Sequence, residues 1–446
     1  SGDDDWERIA ARLEAIPATM AGWRASLAGA APPTRSAVVA LAEQCRTWAG
    51  NGDGGWFGQL ASSYGDGRLR AQLDRAGRAA GEAYGDLSRW LTDELAPRSD
   101  PADGVGAERY GIWSRWMLGA QLDLDDTYAW GWDDLARLTR EQQLECHRII
   151  SGGSFDEVRA VLDTDPDRAV HGVDAYRSWL QEVTDDAIDR LDGSHFDIPA
   201  PLRRCEIGIP PPGSAAAPYY TPPSEDLSRP GRTWFPTLGA EHFPTWDQLT
   251  VVYHEAVPGH HLQLGTTRIV PLVRAHRVGF SSAHGEGWAL YAERLMDELG
   301  FFDDPATRLG FLASQAFRAV RVVIDIGLHT GRTIPDGWHG AGQQWTAALA
   351  AEHLERAGGL TRAFADSEVV RYIGMPSQAI SYKVGERVWL AGREKAGAGV
   401  DLKDWHARAL ALGALGLDDL ADELRQLGEP SSTTIVGLPS EPPTTT

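Results

Sequence analysis

Eleven of the chain's 26 prolines lie between His195 and Pro244, at positions 199, 201, 210, 211, 212, 218, 222, 223, 230, 236 and 244. Proline lacks an N–H and fixes φ, so no long helix passes through this stretch, whereas short edge strands and ordered loops do fit. Tyr219-Tyr220 and Trp234-Phe235 sit among the prolines. Aromatics at that density are costly to leave solvated, so the segment reads as an ordered lip or small sheet beside a cleft and not as disorder.

On either side the pattern is helical. Leu69, Leu73, Ala76, Ala80 and Tyr84 recur at three- and four-residue steps through an Arg- and Ala-rich run without proline. Similar runs span 108–122, 127–150 and 173–191, separated by clusters such as Asn51-Gly-Asp-Gly-Gly and Ser151-Gly-Gly-Ser that stop or cap helices. The expected organisation is mainly α: a helical front lobe (1–194), the Pro- and aromatic-rich connecting segment (195–244) and a helical catalytic lobe (245–428). A polar, Pro-rich tail (429–446) is expected to be disordered.

With 63 acidic against 42 basic residues, the net charge is −21. That argues against nucleic acid or an anionic membrane as the main partner, because phosphate is bound by clustered Lys and Arg. Cys45, Cys146 and Cys205 lie far apart without metal-ligand spacing and read as buried or incidental thiols. No apolar run approaches the roughly 18 residues of a membrane span, and Ser1-Gly-Asp-Asp-Asp is unlike a signal peptide. The compartment stays open, with the cytoplasm favoured.

The most informative stretch is Tyr253-His254-Glu255-Ala256-Val257-Pro258-Gly259-His260-His261. Many zinc hydrolases begin their site with His-Glu, the imidazole ligating the metal and the carboxylate taking a proton from water. The second His normally comes four residues after the first, on the same helix face. Here that place is Pro258. In an unbroken helix, His261 returns to within about 20° of His254 but about 10 Å along the axis, and His260 sits about 120° round it. Neither suits zinc–nitrogen bonds of about 2.0–2.1 Å. Pro258-Gly259 must therefore break the helix and re-aim a His, with His260 preferred as the second ligand and His261 close behind. Ser281-Ser-Ala-His-Gly-Glu-Gly-Trp-Ala-Leu-Tyr-Ala-Glu supplies Glu286 as a third ligand and carries Glu293 two turns on.

Taken together, His254-Glu-Ala-Val-Pro-Gly-His-His-Leu-Gln and Glu286-Gly-Trp-Ala-Leu-Tyr-Ala-Glu resemble the two signatures of the bacterial domain-of-unknown-function 885 family, regarded as zinc-peptidase-like. Further matches are Tyr219-Tyr220-Thr-Pro-Pro-Ser, the run from Arg318 to His329, and Pro376-Ser-Gln378-Ala-Ile-Ser-Tyr382-Lys383-Val-Gly. Gly106-Ala-Glu-Arg-Tyr110 matches more weakly. The resemblance covers roughly residues 105 to 425. It implies a helical, cleft-bearing, zincin-like fold similar to thimet oligopeptidase and carboxypeptidase Taq. Dipeptidyl peptidase III, with a residue inserted in its metal motif, is a partial precedent for the stretched spacing. Ser377 stands where the family often has Gly.

Arg318, Arg321, Asp325 and His329 share one face of an apolar helix. As chemistry, Asp325 orients a His, His329 stabilises an oxyanion and an Arg clamps a carboxylate; as structure, they form an ion-pair ladder between helices. Tyr382 is a candidate phenol donor to a developing oxyanion, ahead of Gln378, Arg371 and Tyr372. Trp234, Tyr219 and Tyr220 are candidates to line the cleft. The reading is a hydrolase of peptide or related amide bonds. One zinc ion sits on His254, His260 (or His261) and Glu286; Glu255 is the general base, and Tyr382 or His329 assists. Its rivals are a repurposed metalloenzyme acting on an amide or small metabolite in biosynthesis, and a non-catalytic metal- or peptide-binding protein.

Overall fold

The Ala- and Arg-rich periodicity around Leu73 forms a helix with the expected face inward: Leu73, Ala76 and Ala80 are all buried. The computed structural model describes residues 2–50, 55–210, 217–397 and 399–427. The Asn51–Gly54 cluster, Pro211 and Pro212, and the tail expected at 429–446 lie outside the described residues.

The front of the chain contributes α1 (Asp3–Gly29), α2 (Arg35–Ala49), α3 (Gly55–Ser62) and α4 (Arg70–Trp90), then α5 (Ala107–Leu118), α6 (Leu124–Ile149), α7 (Phe155–Leu162) and α8 (Val173–Leu191). Asp123 starts α6 by accepting from the N–H groups of Asp125 and Asp126, and Ser154 with Glu157 forms a capping box on α7.

The Pro-rich segment is a small sheet, as its composition implies. Strands β2 (Cys205–Gly208), β3 (Tyr219–Thr221) and β4 (Gly231–Trp234) lie in the order β2-β4-β3, with β2 parallel and β3 antiparallel to β4. Strand β1 (Ala169–His171) pairs with β5 (His242–Pro244). Phe235, Phe243 and Tyr176 pack with Cys205 and Val252 beneath these strands, so the aromatics are in a core. Helices resume with α9 (Gln248–Glu255), α10 (His260–Ile269), α11 (Arg274–Val278), α12 (Ser282–Glu298) and α13 (Pro305–Thr330). They end with α14 (Ala347–Gly358), α15 (Arg362–Gly374), α16 (Ser381–Ala396), α17 (Leu402–Leu410) and α18 (Leu417–Leu427).

Two compact units result. One comprises Ser1–Gly106, Leu328–Gly331 and Asp366–Met375; the other comprises Ala107–Gly327, Arg332–Ala365 and Pro376–Thr446. In the first, α1, α2 and α4 bury Met20, Val38, Leu87, Trp90 and Leu91. In the second, α12 and α16 meet at backbone distance, because Gly287 faces Gly385. A Cβ on Gly287 would lie 2.5 Å from the Gly385 backbone, and one on Gly385 would lie 2.1 Å from the Ala283 carbonyl oxygen. The three cysteines are buried free thiols. Among the described residues no helix is long and apolar enough to cross a membrane.

Adding a methyl group where two helix backbones touch forces them apart. Gly287→Ala is therefore expected to lower stability by about 1–3 kcal/mol, the usual range for overpacking. Urea denaturation checks this: an unchanged midpoint and slope would contradict so tight a contact.

Candidate metal centre

Pro258-Gly259 breaks the helix as its composition requires. Helix α9 stops at Glu255, Ala256 leaves helical geometry, and α10 starts at His260. The Gly259 N–H donates to the Tyr253 carbonyl and the His261 N–H to the Ala256 carbonyl, closing a tight turn. A Cβ on Gly259 would lie 1.8 Å from the His254 carbonyl oxygen, so no other residue fits there. The buried Trp288 indole of α12 clamps the turn by donating to the carbonyls of Pro258 at 2.8 Å and Gly259 at 3.3 Å.

This turn brings His260 beside His254, with ring centroids 4.9 Å apart and planes at 87°. Ligand atoms of His254, Glu255 and His260 all lie within 4.8 Å of one another, and all three residues are buried. From α12, Glu286 Oε2 approaches His254 Nε2 at 3.3 Å and His260 Nε2 at 3.4 Å. Its side chain is 14% exposed, the most open of the group. Two ligands on a tetrahedral zinc ion with bonds of about 2.0–2.1 Å lie about 3.3–3.4 Å apart. The donor set and its spacing thus fit zinc held by His254, His260 and Glu286.

On its other side His254 is fixed by Glu293, which sequence reasoning placed on the right helix but gave no role. Nδ1–H donates to Glu293 Oε1 at 2.7 Å, leaving Nε2 towards the cluster. Thr250 of α9 donates to Glu293 Oε2 at 2.6 Å. Asp325, weighed both as an orienter of a His and as part of a structural ladder, accepts from the Tyr110 hydroxyl at 2.5 Å and the Ser377 N–H at 2.8 Å.

Charge within the cluster is mutually supported. Burial opposes a charge on His254, but the Glu286 and Glu293 hydrogen bonds outweigh it and raise the imidazole to about 9. Burial would raise Glu286, and the two imidazoles overrule it, holding the carboxyl far below its usual range. Glu255 moves the other way: burial, only partly offset by His260 and His254, pushes its carboxyl up. Its Oε2 is buried without a hydrogen-bond partner.

The pairing of His261 with the ligand set is corrected by the structure. His261 is fully buried and turns away: its Nε2 donates to the Leu202 carbonyl at 2.9 Å, and its Nδ1 accepts from the Tyr220 hydroxyl at 2.8 Å. Both ring nitrogens are thereby committed in a neutral tautomer. Burial, partly offset by the Leu202 bond, holds its pKa at about 4. Tyr220 therefore anchors α10 to the sheet, and Gly231 leaves space for that contact.

Tyr382, half-buried at the start of α16, stacks 6.3 Å from the His254 ring, with the Arg321 guanidinium 4.7 Å from its own centroid. Arg318 donates to Ser314. His329 belongs to the other compact unit, where its Nε2 donates to the Tyr372 carbonyl at 3.0 Å. Arg371 and Tyr372 bind Glu368 in that unit. Tyr219 stacks on Trp234 within the sheet.

The chain belongs to the family described as bacterial protein of unknown function, DUF885, which matches residues 1–424. The likeness seen over roughly 105–425 thus extends through the front of the chain. Two solved structures are similar. A putative lipoprotein from Colwellia psychrerythraea has 23% identity and a TM-score of 0.77, over 94% of this chain and 75% of that one. A putative lipoprotein of unknown function from Shewanella oneidensis has 19% identity and a TM-score of 0.69, over 95% of this chain and 78% of that one. Identities this low establish the fold alone. No curated protein matches the chain.

If zinc occupies this cluster, His260→Ala removes it. His261→Ala is expected to spare it while costing about 1–3 kcal/mol, because Tyr220 and Leu202 lose their partner. Chelator competition and thermal unfolding on both variants check this. A second expectation concerns pH. The folded pKa of His254, about 9, lies above its ordinary 6.5, so in the metal-free protein its contribution is complete below pH 6.5 and is lost as pH rises through about 9. Denaturation of the metal-free protein across that window should show the decline, and His254→Gln should remove it.

Proposed function

We propose that the protein is a zinc-dependent hydrolase of peptide or related amide bonds. The observation that carries this reading is the buried, unpartnered Glu255 carboxylate oxygen beside His254 and His260, each with a ring nitrogen within 3.4 Å of Glu286 Oε2. A purely structural metal site has no need of such a group.

In this reading His254, His260 and Glu286 hold the ion, and Glu293 keeps Nε2 of His254 directed at it. Zinc, when bound, supplies Lewis-acid polarisation of a carbonyl and lowers the pKa of water towards about 7. Glu255 accepts the proton of the attacking water at its carboxylate and returns it to the leaving nitrogen; its raised pKa suits both tasks. Tyr382 donates its phenol hydrogen to the carbonyl oxygen as negative charge develops there, its ring lying near both Arg321 and His254. The Nε2 hydrogen of His329 is already committed to a backbone carbonyl, so His329 is given no step.

We read the helical body as a zincin-like, cleft-bearing scaffold similar to thimet oligopeptidase and carboxypeptidase Taq, as the family resemblance implies. The expected partners are a peptide or small amide, and the strong negative charge argues against nucleic acid and anionic membrane. On the analogy of the two solved relatives, a lipid-anchored location replaces the cytoplasmic one in this proposal.

Glu255→Gln should retain one equivalent of zinc and lose about 10²–10⁴-fold in turnover. Assays on peptides of varied length and blocked termini, with elemental analysis of each preparation, check it. Undiminished turnover in that variant overturns the mechanism. Indifference of the native protein to every peptide would favour a small amide metabolite, and tight zinc without any hydrolysis a binding protein.

A further inference from the structure

Lys383 follows Tyr382 in α16 and is fully buried, a position an ammonium tolerates only among strong acceptors. Its Nζ lies 2.7 Å from Glu386 Oε2 and 3.1 Å from Asp134 Oδ2, and it donates to Gln315 Oε1 at 2.7 Å. Arg294 donates to the same Gln315 oxygen at 3.2 Å and to Glu386 Oε1 at 2.7 Å. Two cations thus decide which end of the Gln315 amide is the carbonyl. The amide nitrogen is left facing Glu293, donating to Oε2 at 3.4 Å. Thr250 at 2.6 Å and Ser314 at 3.2 Å load that same oxygen. Glu293 Oε1 is thereby left to His254 Nδ1–H at 2.7 Å.

We propose that Gln315 and Lys383 are positioning residues of the metal centre, acting through Glu293 to set the ring of His254. The proposal rests on His254 being a ligand, as read above. A flipped Gln315 would set its oxygen against the Glu293 carboxylate and its NH₂ against two cations, so the cations on one side select the orientation on the other. The ion cluster also ties α6, α12, α13 and α16 together, and a purely structural role would end there.

Gln315→Glu separates the two roles. It keeps an acceptor for Lys383 and Arg294 but turns a second carboxylate, in place of a donor, towards Glu293. The full chain and this variant are compared in three ways: zinc affinity by chelator competition, metal-free melting temperature, and the low-field proton NMR signal of the buried His254 Nδ1–H. The expected result is a variant that still folds cooperatively, binds zinc about tenfold more weakly, as loss of an outer hydrogen bond to a ligand does, and shows a displaced or lost signal. Lys383→Met should move both readouts the same way; if it fails to fold, Gln315→Glu decides. Wild-type zinc affinity with an unchanged proton signal in Gln315→Glu overturns the proposal. If the native chain takes up no zinc, the metal reading falls, and the proton signal decides the positioning role: displacement supports it and constancy refutes it.

Discussion

A carboxylate inside a protein must be matched by cations or hydrogen-bond donors, or it will not stay ionised. Glu286 and Glu293 meet that requirement from one helix by holding opposite nitrogens of the same imidazole, His254. Much of the second unit's local architecture serves this arrangement. Glycines at the α12–α16 crossing let the helix carrying both carboxylates lie against its neighbour, and Trp288, two residues beyond Glu286, holds the turn that delivers His260. Glu255 is the exception, a carboxylate with one oxygen unmatched, and that imbalance gives the cluster its chemical interest.

Two adjacent histidines divide their work. His260 faces the cluster while His261 faces the sheet, bonded to Tyr220 of β3 and to the carbonyl of Leu202. The proline-rich segment, which looks in sequence like a lip, is therefore tied to the first turn of α10 through a neutral imidazole. Tyr219 and Trp234 stack on each other in that sheet, with Arg232 packed on Trp234.

Much of this was legible in the sequence. Helix periodicity located α8 from Val173 to Leu191 and the buried face of α4. Proline density marked the sheet, and simple helix geometry required a break between His254 and His260. What could not be read was pairing across elements. Nothing local distinguishes His260 from His261, because the choice depends on Tyr220 and Leu202, some 40 and 60 residues away in the chain. The role of Glu293 was equally hidden. Its position two turns after Glu286 was visible, but only the packing of α9 against α12 puts His254 beside it. Lys383 lay inside a recognisable motif, yet its partners Asp134 and Gln315 come from distant helices.

The turn at Ala256–Gly259 bears on how centres of this kind are to be found. A search pattern built on an unbroken helix fixes its ligand spacing at one turn and passes over a chain in which four residues separate Glu255 from His260. A pattern that merely accepts a following His-His pair has no means of choosing between the His that faces the cluster and the one that anchors the sheet. The better descriptor is the break together with its clamp: a glycine whose Cβ would strike the carbonyl of His254, and a tryptophan two residues after the distant glutamate that grips the turn.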